Sequence, residues 1–268
     1  MSRGIAETFA ELRAADRAGF IPFIMAGDPN LDASLALMQA AADAGADLIE
    51  VGVPFSDPMA DGPALQRSAQ RALDAGTTLT GVLGLLARFR ETSSVPVVLF
   101  GYANPFLAYG AEALARDMRA SGADGVLCVD IPPEEADDLQ PACAAAGLDM
   151  IFLLTPTSDR RRIAKVRARA HGFIYYVSIT GTTGAGAPKT ADIAAMVTKV
   201  RAATDLPIGV GFGITTPPQA ATVARVADAV VVGSAVMRIV EEHPGAELIP
   251  TVGDFFTRMA TAIHDARL

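Results

Sequence analysis

The chain has 268 residues, 22 Lys and Arg against 30 Asp and Glu, a formal net charge of −8, 51% hydrophobic residues, two cysteines and no tryptophan. That apolar content excludes intrinsic disorder, and a chain of this length closes a core without disulfides or a structural metal, as one α/β barrel or as one to two smaller domains. The acidic balance argues against nucleic acid or a membrane surface as main partner, and no apolar run approaches the roughly 18 residues of a spanning helix.

At the N-terminus Glu7, Glu11, Arg13 and Asp16 interrupt the stretch where a signal peptide would need its apolar core, so none is expected. Cys128 and Cys143, both in apolar settings, form no disulfide framework or paired metal spacing, which points to the cytoplasm. Ile5, Phe9 and Leu12 share one face of an amphipathic helix expected over 5–17, placed to plug the bottom of a barrel.

Beyond it a unit repeats: a short apolar run, a turn rich in Gly, Pro or Asp, then an Ala-rich amphipathic stretch. The runs fall at 20–26, 48–51, 97–101, 125–129, 150–154, 173–177, 208–211 and 229–232. Helical patterns lie at 31–44, 64–75, 80–90, 111–121, 133–146, 160–170, 191–203, 217–226 and 235–243. Asp28-Pro29 and Thr216-Pro217 are expected to open helices, and Gly45, Gly122 and Gly147 to close others. Arg160-Arg161-Arg162 reads as a solvated helix start. Strand–helix alternation implies a parallel sheet with right-handed crossovers, and eight units imply one (β/α)8 TIM barrel over residues 1–268. The extra N-terminal helix and long loops after the second strand (53–63) and the sixth (181–189) are its additions.

Barrel active sites lie at the C-terminal ends of the strands. Period-2 alternation sends Ile49, Val51 and Val53 to one face and turns Glu50 into the barrel. Burial disfavours the charged carboxylate and raises its pKa toward the working range of a general acid/base; a structural Glu satisfied by hydrogen bonds is the alternative. Asp57 and Asp61 follow in the loop, where Asp-Pro and Asp-Gly also serve simply as turn formers. Gly211-Phe212-Gly213 and Gly233-Ser234 sit after strands seven and eight, where barrels bind phosphate, with Gly181 and Gly184 as a third wall; chain turning alone is the alternative. Phe23, Phe100, Leu127 and Phe212, with Tyr102 and Tyr175, suit a flat aromatic substrate, although each alone is ordinary core. Lys165, Lys189 and Lys199 miss the strand ends a Schiff base wants, and His171, His243 and His264 are scattered, so neither imine nor metal chemistry has its residues and no metal is expected.

Residues 48–63, LIEVGVPFSDPMADGP, resemble the signature of the tryptophan synthase alpha chain family. Supporting matches are Pro22-Phe23, Gly27-Asp28-Pro29, Asn104-Pro105, residues 175–178 with Gly181-Thr182-Thr183-Gly184, Gly211-Phe212-Gly213-Ile214 and Gly233-Ser234-Ala235, in order over nearly the whole chain. The resemblance implies retro-aldol cleavage of indole-3-glycerol phosphate to indole and glyceraldehyde 3-phosphate; a free-standing lyase of that substrate is the alternative. It implies that Glu50 is the acid/base, Asp61 holds the ring nitrogen, Tyr175 positions Glu50 and substrate, and Thr183 closes against the second-loop aspartate. Gly184, Gly213 and Ser234, with the neighbouring N–H groups of Gly211 and Gly233, would hold the phosphate. It further implies an alpha2-beta2 heterotetramer in which Pro54, Asp57, Pro58, Asn104, Pro105 and Phe106 meet a beta chain. That partner would carry pyridoxal phosphate, leaving this chain without a cofactor of its own. The chain departs from the family pattern at Ile179, Thr182, Phe173 and Phe100, where some relatives carry Arg, Val, Tyr and Leu.

Overall fold

The computed structural model describes residues 2–178, 190–211 and 213–267. In chain order the elements are α1 (Ile5–Ala14), β1 (Gly19–Met25), α2 (Leu31–Asp43), β2 (Ile49–Gly52), α3 (Pro63–Asp74), α4 (Leu79–Arg90), β3 (Val97–Gly101), α5 (Ala103–Tyr109), α6 (Ala111–Ala120), β4 (Gly125–Cys128) and α7 (Gln140–Ala145). They continue with β5 (Asp149–Leu154), α8 (Arg160–Arg169), β6 (Ile174–Val177), α9 (Thr190–Arg201), β7 (Ile208–Gly211), α10 (Pro217–Ala224), β8 (Ala229–Val232), α11 (Ser234–Glu242) and α12 (Leu248–His264). The eight strands pair in parallel in sequence order, and β8 returns to β1 with Gly19 opposite Ala229, closing a TIM barrel.

The strands are short apolar runs because both faces are covered, the inner by facing strands and the outer by helices; all seven residues of β1 are buried. α1 closes the N-terminal end as expected: Phe9 packs on Phe173 with ring centroids 5.6 Å apart, and Leu12 and Ile5 lie against the bare backbones of Gly19 and Gly125. At that same end, aspartates standing just before even-numbered strands accept backbone N–H groups from the start of the preceding strand. Phe20 N donates to Asp47 Oδ2 (2.8 Å), Val97 N to Asp124 Oδ2 (2.9 Å) and Ile208 N to Asp228 Oδ2 (2.9 Å).

The structure corrects four expectations. α12 was not expected, although Leu248, Val252, Phe255, Phe256, Met259 and Ile263 are spaced for one face; it buries that face, setting Phe256 6.0 Å from Phe20. α5 was also not expected, because seven residues containing a proline carry too little periodicity. The helix expected over 133–146 is a 3₁₀ turn at Pro133–Glu135 followed only by α7, since Pro141 lacks the N–H that a continuous helix would need there and instead stands in the first turn of α7. α2 is capped by Asn30, whose side chain accepts from Ala33 N (2.9 Å), rather than opened by Asp28, whose carboxylate is buried elsewhere. Among the described residues no helix is long and apolar enough to cross a membrane.

Candidate active site

Glu50 sits in the middle of β2, opposite Phe23 on β1 and Val98 on β3, and is 1% exposed. Its Oε1 has no hydrogen-bond partner. Burial pushes the carboxyl up from 4.5 to about 8, so at neutral pH it holds its proton. A full charge there would be desolvated without compensation, whereas a protonated acid with an unused oxygen is ready to serve a ligand.

Asp61 closes the loop after β2. Its backbone N–H donates to Pro58 C=O (3.0 Å), and Gln66, in the first turn of α3, donates from Nε2 to Asp61 C=O (2.9 Å). Pro63 starts the helix two residues on, where a missing N–H costs nothing. The carboxyl is 3% exposed, and Oδ1 has no partner. Burial raises its pKa to about 6 and interaction with the Tyr102 phenol offsets part of that, so Asp61 is mostly ionised at neutral pH. The Tyr102 hydroxyl accepts from Ala60 N (3.1 Å) and its ring lies 5.2 Å from Phe55, so the end of β3 fastens the loop carrying Asp61. Tyr175, on the inner face of β6, is buried within reach of the charges of both Glu50 and Asp61, and its phenol pKa is raised well above 10 by burial first and those carboxylates second.

Phe23 and Phe100 meet edge to face with centroids 5.2 Å apart, and Leu127 is fully buried beside Phe100 in the adjoining strand. Glycines keep this wall thin. A β-carbon on Gly52 would lie 2.4 Å from Phe23 Cζ, and one on Gly211 would lie 2.1 Å from the Tyr175 hydroxyl oxygen. Gly213 has φ +77°, a left-handed conformation that an L side chain enters only at a cost of roughly 1–2 kcal/mol. Gly233 precedes α11 without a side chain to cap it, leaving first-turn N–H groups available to an anion at the end of β8. Ser234 opens the helix and Arg238, one turn on, donates to its carbonyl (3.2 Å).

The structure thus gathers Glu50, Asp61, Tyr175, Phe23, Phe100, Tyr102 and Leu127 at the C-terminal end of the barrel, with Gly211 ending the seventh strand, Gly213 just beyond it, and Gly233 and Ser234 after the eighth. Thr183, Gly184 and Phe212 lie outside the described residues, as do Ile179, Gly181, Thr182 and Lys189. Of the residues expected at a partner surface, Asp57 and Asn104 are exposed and Pro58 and Pro105 half-buried. Pro54 and Phe106 are buried within this chain, and the Phe106 ring packs beneath Gly101 because α5 turns it toward the barrel. The same two segments instead expose Met59 (87%) and Leu107 (42%). Sequence reasoning passed over Gln66, Phe55 and Gly52, whose roles depend on contacts between separate elements. Among the described residues no group of three or more His, Cys, Asp or Glu side chains could hold a metal ion.

The family model described as tryptophan synthase alpha chain matches residues 9–253. The tryptophan synthase alpha chain of Citrifermentans bemidjiense is 52% identical over 263 residues, covering 98% of each chain. That of Geobacter sulfurreducens is also 52% identical, covering 98% of this chain and 99% of the relative. The crystal structure of tryptophan synthase subunit alpha from Legionella pneumophila superposes with a TM-score of 0.90 at 37% identity, over 98% of both chains.

Proposed function

We propose how this barrel performs its reaction from the premise that the chain belongs to the tryptophan synthase alpha chain family, and is therefore a carbon–carbon lyase of tryptophan biosynthesis acting on indole-3-glycerol phosphate. In our reading protonated Glu50 delivers its proton to the ring carbon bearing the side chain, giving an indolenine-like cation. Ionised Asp61 accepts the ring N–H as a hydrogen bond and stabilises that cation. The Glu50 carboxylate then takes the proton of the adjacent glycerol hydroxyl. As that hydroxyl becomes the aldehyde of glyceraldehyde 3-phosphate, the C–C bond breaks and its electrons restore the neutral ring of indole. Glu50 ends protonated, as it began.

The observation that carries this reading is the pair of buried, partnerless carboxylate oxygens, one on an acid raised to about 8 and the other on an acid at about 6. Two carboxyls poised on either side of neutrality supply a donor and an anion together. Tyr175 holds both in register with the substrate, Phe23, Phe100 and Leu127 flank the ring, and Gly211, Gly213, Gly233 and Ser234 take the phosphate.

The family partners with a beta chain, and we place its docking face on the loop after β2 and on α5, where Asp57, Asn104, Met59 and Leu107 are accessible. In the resulting alpha2-beta2 assembly this chain needs no cofactor and the beta chain carries pyridoxal phosphate. Two free buried thiols, Cys128 and Cys143, suit a cytoplasmic setting. The test is indole release from indole-3-glycerol phosphate with and without a beta chain. Slow release that the beta chain strongly accelerates is expected; release indifferent to it would assign a free-standing lyase, and no release would overturn the reading.

A further inference from the structure

Behind the two carboxylates lies a second charged cluster that no step of the reaction uses. Asp28, three residues beyond β1, is fully buried, and its carboxylate accepts from Ser68 Oγ and, two-pronged, from Arg71 Nε (2.9 Å) and Nη2 (2.7 Å), both on α3. Arg71 also reaches Glu241 near the end of α11 (3.2 Å), and Arg67, one turn earlier on α3, makes a paired contact with Glu241 (2.7 and 2.8 Å). The backbone beside Asp28 is fitted to the same helix. Gly27 has φ +89°, and a β-carbon there would lie 1.9 Å from the hydroxyl oxygen of Thr77, three residues beyond α3. One helix is therefore clamped to the barrel wall at Asp28 and tied to α11 at Glu241.

Those two helices carry opposite ends of the site. The first turn of α3 fixes Asp61 through Gln66, and the first turn of α11 presents Gly233 and Ser234. We propose that Arg71, held by Asp28 and Glu241, is a positioning residue that sets the separation between the Asp61 carboxylate and the phosphate-binding turn of α11. The inference rests on the reading of Asp61 and α11 as substrate contacts. The physical reason for an arginine is its rigid fork: it meets Asp28 with two parallel bonds and still offers Nη1 to Glu241, which lysine cannot do. A substrate gripped at its phosphate and at its ring feels any change of that separation in the transition state, where a displacement near 1 Å costs up to about 10²-fold in rate.

The experiment measures kcat and KM for indole-3-glycerol phosphate with beta chain in excess, beside thermal unfolding of each variant. Arg71→Met is expected to lower kcat by about 10- to 100-fold while KM stays within about threefold, because the phosphate grip survives and the ring is misplaced. Arg71→Lys, keeping the charge without the fork, should recover part of kcat. Glu241→Gln, which loosens only the α11 end and keeps the fold if Arg71→Met does not, should cost about three- to fivefold in kcat. Arg88→Met, whose exposed pair with Asp32 joins α4 to α2 and touches neither clamped helix, should leave kcat within about twofold. Lower thermal stability for both Arg71→Met and Glu241→Gln with kcat and KM unchanged would overturn the proposal, leaving Arg71 a purely structural clamp. Asp61→Asn assayed alongside separates the two readings: an active Asp61→Asn removes the premise, whereas an inactive one beside fully active Arg71 and Glu241 variants removes only the positioning role.

Discussion

At the N-terminal end of the barrel Asp47, Asp124 and Asp228 each accept a strand N–H and each faces a basic side chain: His264 at 2.8 Å, Arg90 at 2.7 Å and Arg201 at 2.9 Å. At the C-terminal end Glu50 and Asp61 are buried, as Asp124 is at the base, and keep one oxygen each without a partner. Carboxylates at the base tie strand to strand and leave no buried oxygen without a partner. Those at the mouth are held in place by backbone and by neighbours such as Tyr102 and Gln66, while one oxygen of each stays uncommitted. Asp28 is a third case, at the mouth but fully engaged, and its job is accordingly support. Burial alone does not separate catalysis from structure; the difference lies in whether the oxygens are already spoken for.

The sharpest way to break this comparison is Glu50→Gln, which keeps shape and removes the proton. Indole release is expected to fall by about 10³-fold, and retention of more than a few per cent of the rate would make Glu50 a base-type structural acid after all. Asp124→Ala probes the opposite end. It strands the Arg90 guanidinium, whose side chain is 12% exposed, and leaves Val97 N–H unsatisfied, so chemical unfolding should show a loss of about 3 kcal/mol with kcat unchanged. A third measurement follows stability against pH. Because the native state keeps the Glu50 proton up to about 8 while an unfolded chain releases it near 4.5, the native state binds more protons across that interval and stability must decline as pH rises through it. Glu50→Gln removes this loss, so the variant should be more stable than the parent at pH 9 by on the order of 2 kcal/mol and no more stable at pH 4. Smallest is His264→Ala, which deprives Asp47 of one partner but not of Phe20 N–H; about 1 kcal/mol of stability is expected to go, with no change in indole release.

How much of this was legible beforehand follows the range of the interactions. Alternation within residues 48–53 was enough to turn Glu50 inward, and eight apolar runs separated by amphipathic stretches were enough for the barrel, because both signals are local. That Glu50 Oε1 lacks a partner depends on what the neighbouring strands place around it, which no window of sequence contains. Asp28 was read as a helix opener because Asp-Pro is a common turn, and only the fold shows that Arg71, 43 residues later, claims its carboxylate. Phe106 was expected to face a partner because of the motif it belongs to; the short helix around it, too brief to announce itself by periodicity, directs the ring inward and leaves Leu107 outside. α12 was the avoidable omission, since its apolar spacing over 248–263 is as regular as any in the chain.

The stopper formed by α1 closes one end of the barrel. Ile5, Phe9 and Leu12 fill the floor, so nothing passes through the axis. Substrate and both fragments are therefore handled at the opposite end, where the strands present Glu50 and the loop after β2 presents Asp61. Whatever covers that mouth then governs arrival and departure alike, because the floor offers no alternative.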